Sequence, residues 1–278
     1  MDPTTVIGTG LAVLGSKDLM GKILGPTADY LGAEMKGLIH KCNVNLDTIF
    51  SKAIDKLEGR ADELGAVNAR VLKNIIDEGR FCEDEITAEY FAGVVASSKT
   101  VDGRDDRGIP ILAKIKQMSS YQIRFHYLTY YLTASFYHRG QLNIGVHGDR
   151  LKMPIYIPNV VIEAALGTTD SRMMRDLVPH CASGLYGLGL LNYCHYGHTD
   201  DLREEYVGAT DPGVIIEPNL RGAELFMWAH GIKGATGHEI LKLKDLKQLT
   251  EIIIVPGSVA IKDELRSRMI GAARKAEG

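Results

Sequence analysis

The sequence predicts an α+β protein: a mainly helical domain over residues 1–138 with an apolar N-terminal segment, then an α+β domain over 139–278 with short strands and a winged-helix-like element. Three observations lead there. Apolar residues keep three-and-four spacing over long stretches before His138, as helices with one buried face require. Beyond His138 the texture changes to short apolar runs bounded by proline, glycine and polar turns, which reads as strands and short helices. The 278 residues with 45% hydrophobic content suffice for one large core or two moderate ones, because domains usually span roughly 100–200 residues.

Met1-Asp2-Pro3 lacks the basic n-region that precedes the apolar stretch of a secretory signal, so a cytoplasmic protein is expected. Val6 to Gly15 is apolar but gives way to Ser16, Lys17 and Asp18; a spanning helix needs about 17–25 residues, so this segment cannot cross a bilayer alone. Gly8, Gly10 and Gly15 make it a poor helix and a poor strand. Ile7, Leu11 and Leu14 are therefore candidate contacts to a membrane interface or a partner groove. The competing explanation is packing across the helical domain.

From Leu46 to Ile76 the apolar period continues as one long amphipathic helix bent at Gly59. A second helix starts near Asp84, whose carboxylate suits a helix N-terminus, and buries Ile86, Tyr90, Phe91, Val94 and Val95. Ser97 to Gly108 reads as a loop, followed by helices at about 109–118 and 120–137. The second of these is rich in aromatics (Tyr121, Phe125, Tyr127, Tyr130, Tyr131, Phe136 and Tyr137), which suits a central core helix better than a ligand-lining one. Two short strands are expected at Leu142–Val146 and Lys152–Ile157, joined by a turn at 147–150. Short helices at about 159–166 and 170–178 lead to a further segment, Cys181 to Leu191, and then to a long polar stretch, Tyr193 to Pro212. Gly213–Glu217 reads as a strand, and Asn219 caps a helix that Gly231 stops near His230. Leu249–Val255 is a β-branched run expected to be a buried strand, and the charged tail from Lys262 a closing helix.

The net charge of −3 arises from nearly balanced sets, 32 basic and 35 acidic residues, which gives no broad attraction to phosphate backbones or anionic lipid. Cys42, Cys82, Cys181 and Cys194 lie far apart and read as reduced thiols. Gly8, Gly10 and Gly15 lack the strand and spacing of a dinucleotide loop, so no cofactor is expected. Cys194-His195-Tyr196-Gly197-His198, with Asp200 and Asp201, supplies part of a metal set that His180-Cys181 would have to complete; polar loop residues are the commoner explanation. Ser97, Ser183 and Ser258 sit in no nucleophile elbow, and Glu83, Asp84 and Glu85 suit a helix start. A catalytic centre is thus not expected. The presumed recognition helix, Cys181 to Leu191, contains no basic side chain, which argues against duplex DNA and for a protein or lipid contact.

Four stretches carry a family likeness. Ile23-Leu24-Gly25-Pro26-Thr27-Ala28-Asp29-Tyr30-Leu31-Gly32 resembles the "LLGPAADELGE" opening of the Abi-alpha (abortive infection alpha) proteins. Phe81 to Glu85 followed by Tyr90 to Ser97 is similar to that family's acidic start and "WANLLASA" helix, and Ile109 to Ser120 to its "FIEILKQLSP" segment. Gly213 to Trp228 is like its closing strand and "LTPLGKAFIEAC" helix. The resemblance implies a cytoplasmic bacterial protein of antiviral defence, with no catalytic residues to carry over. The expected function is antiphage action of the abortive-infection type: binding an infection-derived or membrane structure and recruiting or controlling a partner. That partner is a protein, membrane lipid or both, and not nucleic acid; assembly of several copies is left open, as is peripheral attachment to a membrane. Two alternatives stand beside it, a membrane-perturbing effector using Val6 to Gly15 and an enzyme of unrecognised type.

Overall fold

The computed structural model describes residues 44–82, 84–138, 140–168, 170–232, 236–243, 246 and 248–262. Cys42, Glu83, the 23–32 stretch, the tail beyond Lys262 and the contact candidates Ile7, Leu11 and Leu14 lie outside the described residues. The chain is a mixed helix-and-strand protein with small antiparallel sheets. It divides into two compact units, Met1–Gln117 with Met227–Ala235, and Met118–Phe226 with Thr236–Gly278. The aromatic helix after Ser119 thus belongs to the second unit, whereas the sequence reading grouped it with the helices before residue 138.

In the first unit, α1 (Val44–Leu57), a 3-10 turn (Glu58–Asp62), β1 (Ala66–Val67), α2 (Ala69–Gly79), α3 (Glu85–Ser98), β2 (Lys99–Thr100) and α4 (Gly108–Gln117) follow in order. α3 packs against α1, α2 and α4 and is buried nearly all round, which explains its uniform apolar composition. Asp84 caps it, its Oδ2 accepting from the Thr87 amide at 3.1 Å. The single helix expected from Leu46 to Ile76 is interrupted. Glu58 takes a left-handed conformation (φ 51°), the chain passes through β1, and Asn68 starts α2 afresh by accepting from the Arg70 amide.

A tertiary bond explains why that break persists despite the continuing apolar period. The buried Lys99 ammonium donates to the carbonyls of Arg60, Ala61 and Glu63 at 3.2, 2.8 and 2.9 Å. Arg60 O also accepts from the Glu63 amide at 3.3 Å; all three carbonyls lie at a helix end, where main-chain acceptors run short of intrahelical donors. Lys99→Met keeps the stem but strands the carbonyls, and is expected to lower stability by about 1–3 kcal/mol, read from the midpoint of urea unfolding. An unchanged midpoint would mean that water replaces the ammonium at no cost.

The second unit runs α5 (Ser120–Tyr137), α6 (His147–Arg150), β3 (Ile155–Pro158), α7 (Asn159–Leu166), α8 (Ser171–Gly187), β4 (Leu191–Gly197), α9 (Thr199–Arg203), β5 (Gly213–Pro218), α10 (Leu220–Ala229), a 3-10 turn (Gly237–Lys242) and β6 (Val259–Ala260). The last residues of α10, from Met227, belong to the first unit. The sheet order is β4-β5-β3-β6 with every pair antiparallel. One face packs Tyr156 and Ile215 with Leu202, Tyr206, Ala209 and Ile261; on the other side β3 and β5 meet α7, while β5 also meets α5 and α8. A Ser119–Gln122 capping box opens α5, and its Tyr130 hydroxyl donates to Leu190 O and accepts from the Asn219 amide.

Four expectations for this half need correction. Leu142–Val146 is no strand, because the Asn143 side chain closes a turn onto the Gly145 amide. The expected second strand begins only at Ile155. The helix at 170–178 and the segment from Cys181 merge into α8, which carries Pro179 in its interior. Finally, Leu249–Val255 forms no strand; its neighbour β6 holds the sheet edge instead. By contrast Asn219 caps α10 through Gly222 N, and Gly231 with φ +74° ends it as expected.

Candidate functional site

The region between Tyr193 and Pro212, expected as a polar loop, is the strand β4 followed by α9. Alternation along β4 separates its side chains into two sets. On one face, Glu205 Oε1 accepts from the Tyr193 hydroxyl and from His195 Nδ1, the latter at 2.8 Å. A carboxylate only accepts, so Nδ1 carries the proton and Nε2 is the second nitrogen of an oriented imidazole. Nearby, the buried Glu217 carboxylate accepts from Asn192 Nδ2 at 3.1 Å. A carboxylate-held imidazole is the pairing that positions a general base. Here the same bonds tie the residues after α9 to β4.

The opposite set meets α8. The Ser183 hydroxyl donates to the Tyr196 hydroxyl at 3.4 Å, joining helix to strand. Tyr186, one turn along from Ser183, is 55% exposed and Tyr196 is 38% exposed. Arg172, Arg175, Asp176, His180 and Ser183 are also exposed on α8. His180 is engaged within the unit: its Nε2 meets Ser119 Oγ at 2.9 Å, and its carbonyl accepts from Gln122 Nε2. The helix therefore begins ten residues before the expected Cys181 and does carry basic side chains.

The metal set considered from sequence does not assemble. His195 pairs with Glu205, His198 donates its amide to Asp201, and no group of three His, Cys, Asp or Glu side chains able to hold a metal forms among the described residues. The surroundings of the three described thiols disfavour the thiolate. Burial, helped by the Asp84 charge, pushes the Cys82 thiol up to about 12; burial takes Cys181 to about 12 and also raises Cys194, and only the thiolate attacks. Ser97 is buried and donates to Trp228 O, Asp84 is a cap, and Glu85 reaches Lys52 at 3.3 Å.

Comparison with protein-family models, curated proteins and solved structures finds no match to this chain. The two functional features described here therefore stand on their own geometry. Sequence reading missed the Tyr193–Glu205–His195 bond because its partners are split between a strand and the far side of a short helix. The two tyrosines were hidden differently: Tyr186 and Tyr196 lie ten residues apart with a turn between them, and only the packing of α8 on β4 puts their elements side by side. No helix among the described residues is long and apolar enough to cross a membrane.

Proposed function

We propose that this chain is an antiphage defence protein of the abortive-infection type that acts by binding a protein partner through the α8–β4 surface. The observation that carries the reading is the exposure of Tyr186 on α8 and Tyr196 on β4, two elements joined by the bond from the Ser183 hydroxyl to Tyr196. Tyrosine combines a large apolar ring with a polar tip and loses little freedom on binding, which is why it concentrates at protein interfaces. The Abi-alpha likeness supplies the defence context and a cytoplasmic setting. Peripheral membrane attachment through Ile7, Leu11 and Leu14 belongs to the same proposal.

The second unit reads as winged-helix-like. The succession α5, β3, α7, α8, β4, β5 and the strand order β4-β5-β3 support that reading, with α8 in the position of the recognition helix and the α9 segment as the wing. In this frame Arg172 and Arg175 stand at one end of α8 beside Asp176, and Tyr186 stands near the other. A duplex contact needs several cations along the groove, so this distribution favours protein.

The test is a bacterial host producing the chain and challenged with phages. Wild type is expected to protect, and Tyr186→Ala with Tyr196→Ala to lose at least about tenfold of that protection, since interface tyrosines commonly contribute 2 kcal/mol or more. Both rings are exposed, so the thermal melt should stay unchanged. Full protection by a normally folded double variant would remove the surface from the proposal; no protection by wild type against a broad phage panel would remove the defence reading itself.

A further inference from the structure

Within the second unit, the loop after α5 and the Gly237–Lys242 turn line an open cavity of about 800 Å³. Its lining includes His138, Gln141, Asn143, His238, Leu241 and Lys242, and no carboxylate among the described residues. The volume lies within the range of small-molecule pockets, roughly 300–1,000 Å³.

The wall is built by specific bonds. Asn143 Oδ1 accepts from both the Gly145 amide and His238 Nδ1 at 2.9 Å, and the Asn143 amide donates to Asp149 Oδ2. Arg150 Nη1 holds the carbonyls of Ile144 and Gly145 from behind, each at 3.0 Å. The His238 ring rests directly on Gly145, where a Cβ would stand 2.0 Å from His238 Cε1. On the other wall His138 Nδ1 meets the Ser135 carbonyl at 3.0 Å. A carbonyl oxygen and an amide oxygen accept only, so both imidazoles carry their proton on Nδ1 and present Nε2.

We propose that this cavity binds the phosphate of a small phosphate monoester, with Lys242 and the two imidazoles holding the phosphate and Leu142 and Leu241 meeting its organic body. Lys242 supplies a positive charge, and no carboxylate among the described lining residues opposes an anion. The two rings decide between anions. A ring that carries its proton on Nδ1 offers Nε2 as an acceptor, and a phosphate monoester has an O–H that can donate to it. A sulfate ester has no O–H to give to that nitrogen. A cavity far larger than a phosphate ion also leaves room for the ester's carbon skeleton.

The experiment is calorimetric titration of the full chain at neutral pH with phenyl phosphate, phenyl sulfate and inorganic phosphate. Phenyl phosphate is expected to bind at least about tenfold more tightly than either of the others, a difference of about 1.4 kcal/mol. His238→Gln and Lys242→Gln should each weaken it by about tenfold or more while leaving the melt unchanged, since both side chains are exposed. Gly145→Ala, which displaces the His238 ring, should do the same. The proposal is overturned if phenyl phosphate does not bind, if phenyl sulfate binds equally well, if inorganic phosphate binds as tightly, or if the variants keep full affinity. None of these results bears on the Tyr186 and Tyr196 surface, whose test is independent.

Discussion

Replacing Gly93 by alanine is expected to be the most damaging glycine-to-alanine change among the described residues of the first unit. A Cβ on Gly93 would stand 1.9 Å from Ala229 O, 2.2 Å from Ala229 C and 2.5 Å from its Cα. All three are backbone atoms, which cannot turn aside as a side chain does. Alanine improves the helical propensity of α3 by about 1 kcal/mol, but overpacking of a close contact typically costs about 1–3 kcal/mol and more where backbone must move. The clash wins: a net loss of about 2 kcal/mol or more is expected from urea unfolding, with the heat melt shifting down in step. Gly59→Ala is the control, because a Cβ there meets nothing within 4 Å. If Gly93→Ala unfolds at the wild-type midpoint, α3 and the end of α10 are not held at this separation.

Removing the Glu89 carboxylate is expected to cost a comparable amount by a different route. Glu89 is buried on α3, and its two oxygens meet Lys52 Nζ at 2.5 Å and Lys56 Nζ at 2.7 Å, both from α1. The lysine side chains are only 19% and 13% exposed. Glu89→Ala therefore leaves two adjacent cations largely out of water, and breaking such a pair from one side usually costs about 3–5 kcal/mol. Glu85, more exposed, still reaches Lys52 at 3.3 Å and should soften the loss toward the lower end. The cations, and not the lost packing, are the cause if Glu89→Leu combined with Lys52→Met and Lys56→Met recovers most of the stability. A single variant losing less than about 1 kcal/mol would show that both lysines reach solvent unaided.

Where a local signal and the tertiary structure agree, the sequence was readable. Asp84 starting α3, the 109–118 and 120–137 helices, and Asn219 and Gly231 bracketing α10 are of this kind, because caps and periodicity act within a turn or two. The break after Leu57 was not, since Ala61, Leu64 and Val67 continue the apolar period while the deciding bond comes from Lys99, 38 residues beyond Ala61. β4 was hidden because an edge strand with one polar face lacks the apolar alternation that marks a half-buried one. Leu249–Val255 failed in the opposite sense: its β-branched residues suit a strand, yet pairing is supplied by a neighbour and not by propensity. The cavity was invisible for the same reason, as His138 and His238 lie a hundred residues apart.

The first unit takes Met227–Ala235 from beyond most of the second, and this orders events on the ribosome. Domains usually fold in the sequence in which they emerge. Here Trp228 O, which receives the Ser97 hydroxyl, and Gly231 O, which receives Arg60 Nη2 at 3.0 Å, are synthesised more than a hundred residues after the helices they complete. Those helices must wait, with the apolar flank of α3 uncovered, until translation has passed Gly231. A nascent chain stalled after Gln117 would thus present a sticky, incomplete bundle to chaperones and proteases, and cutting the gene at that apparent boundary would not yield a self-sufficient piece.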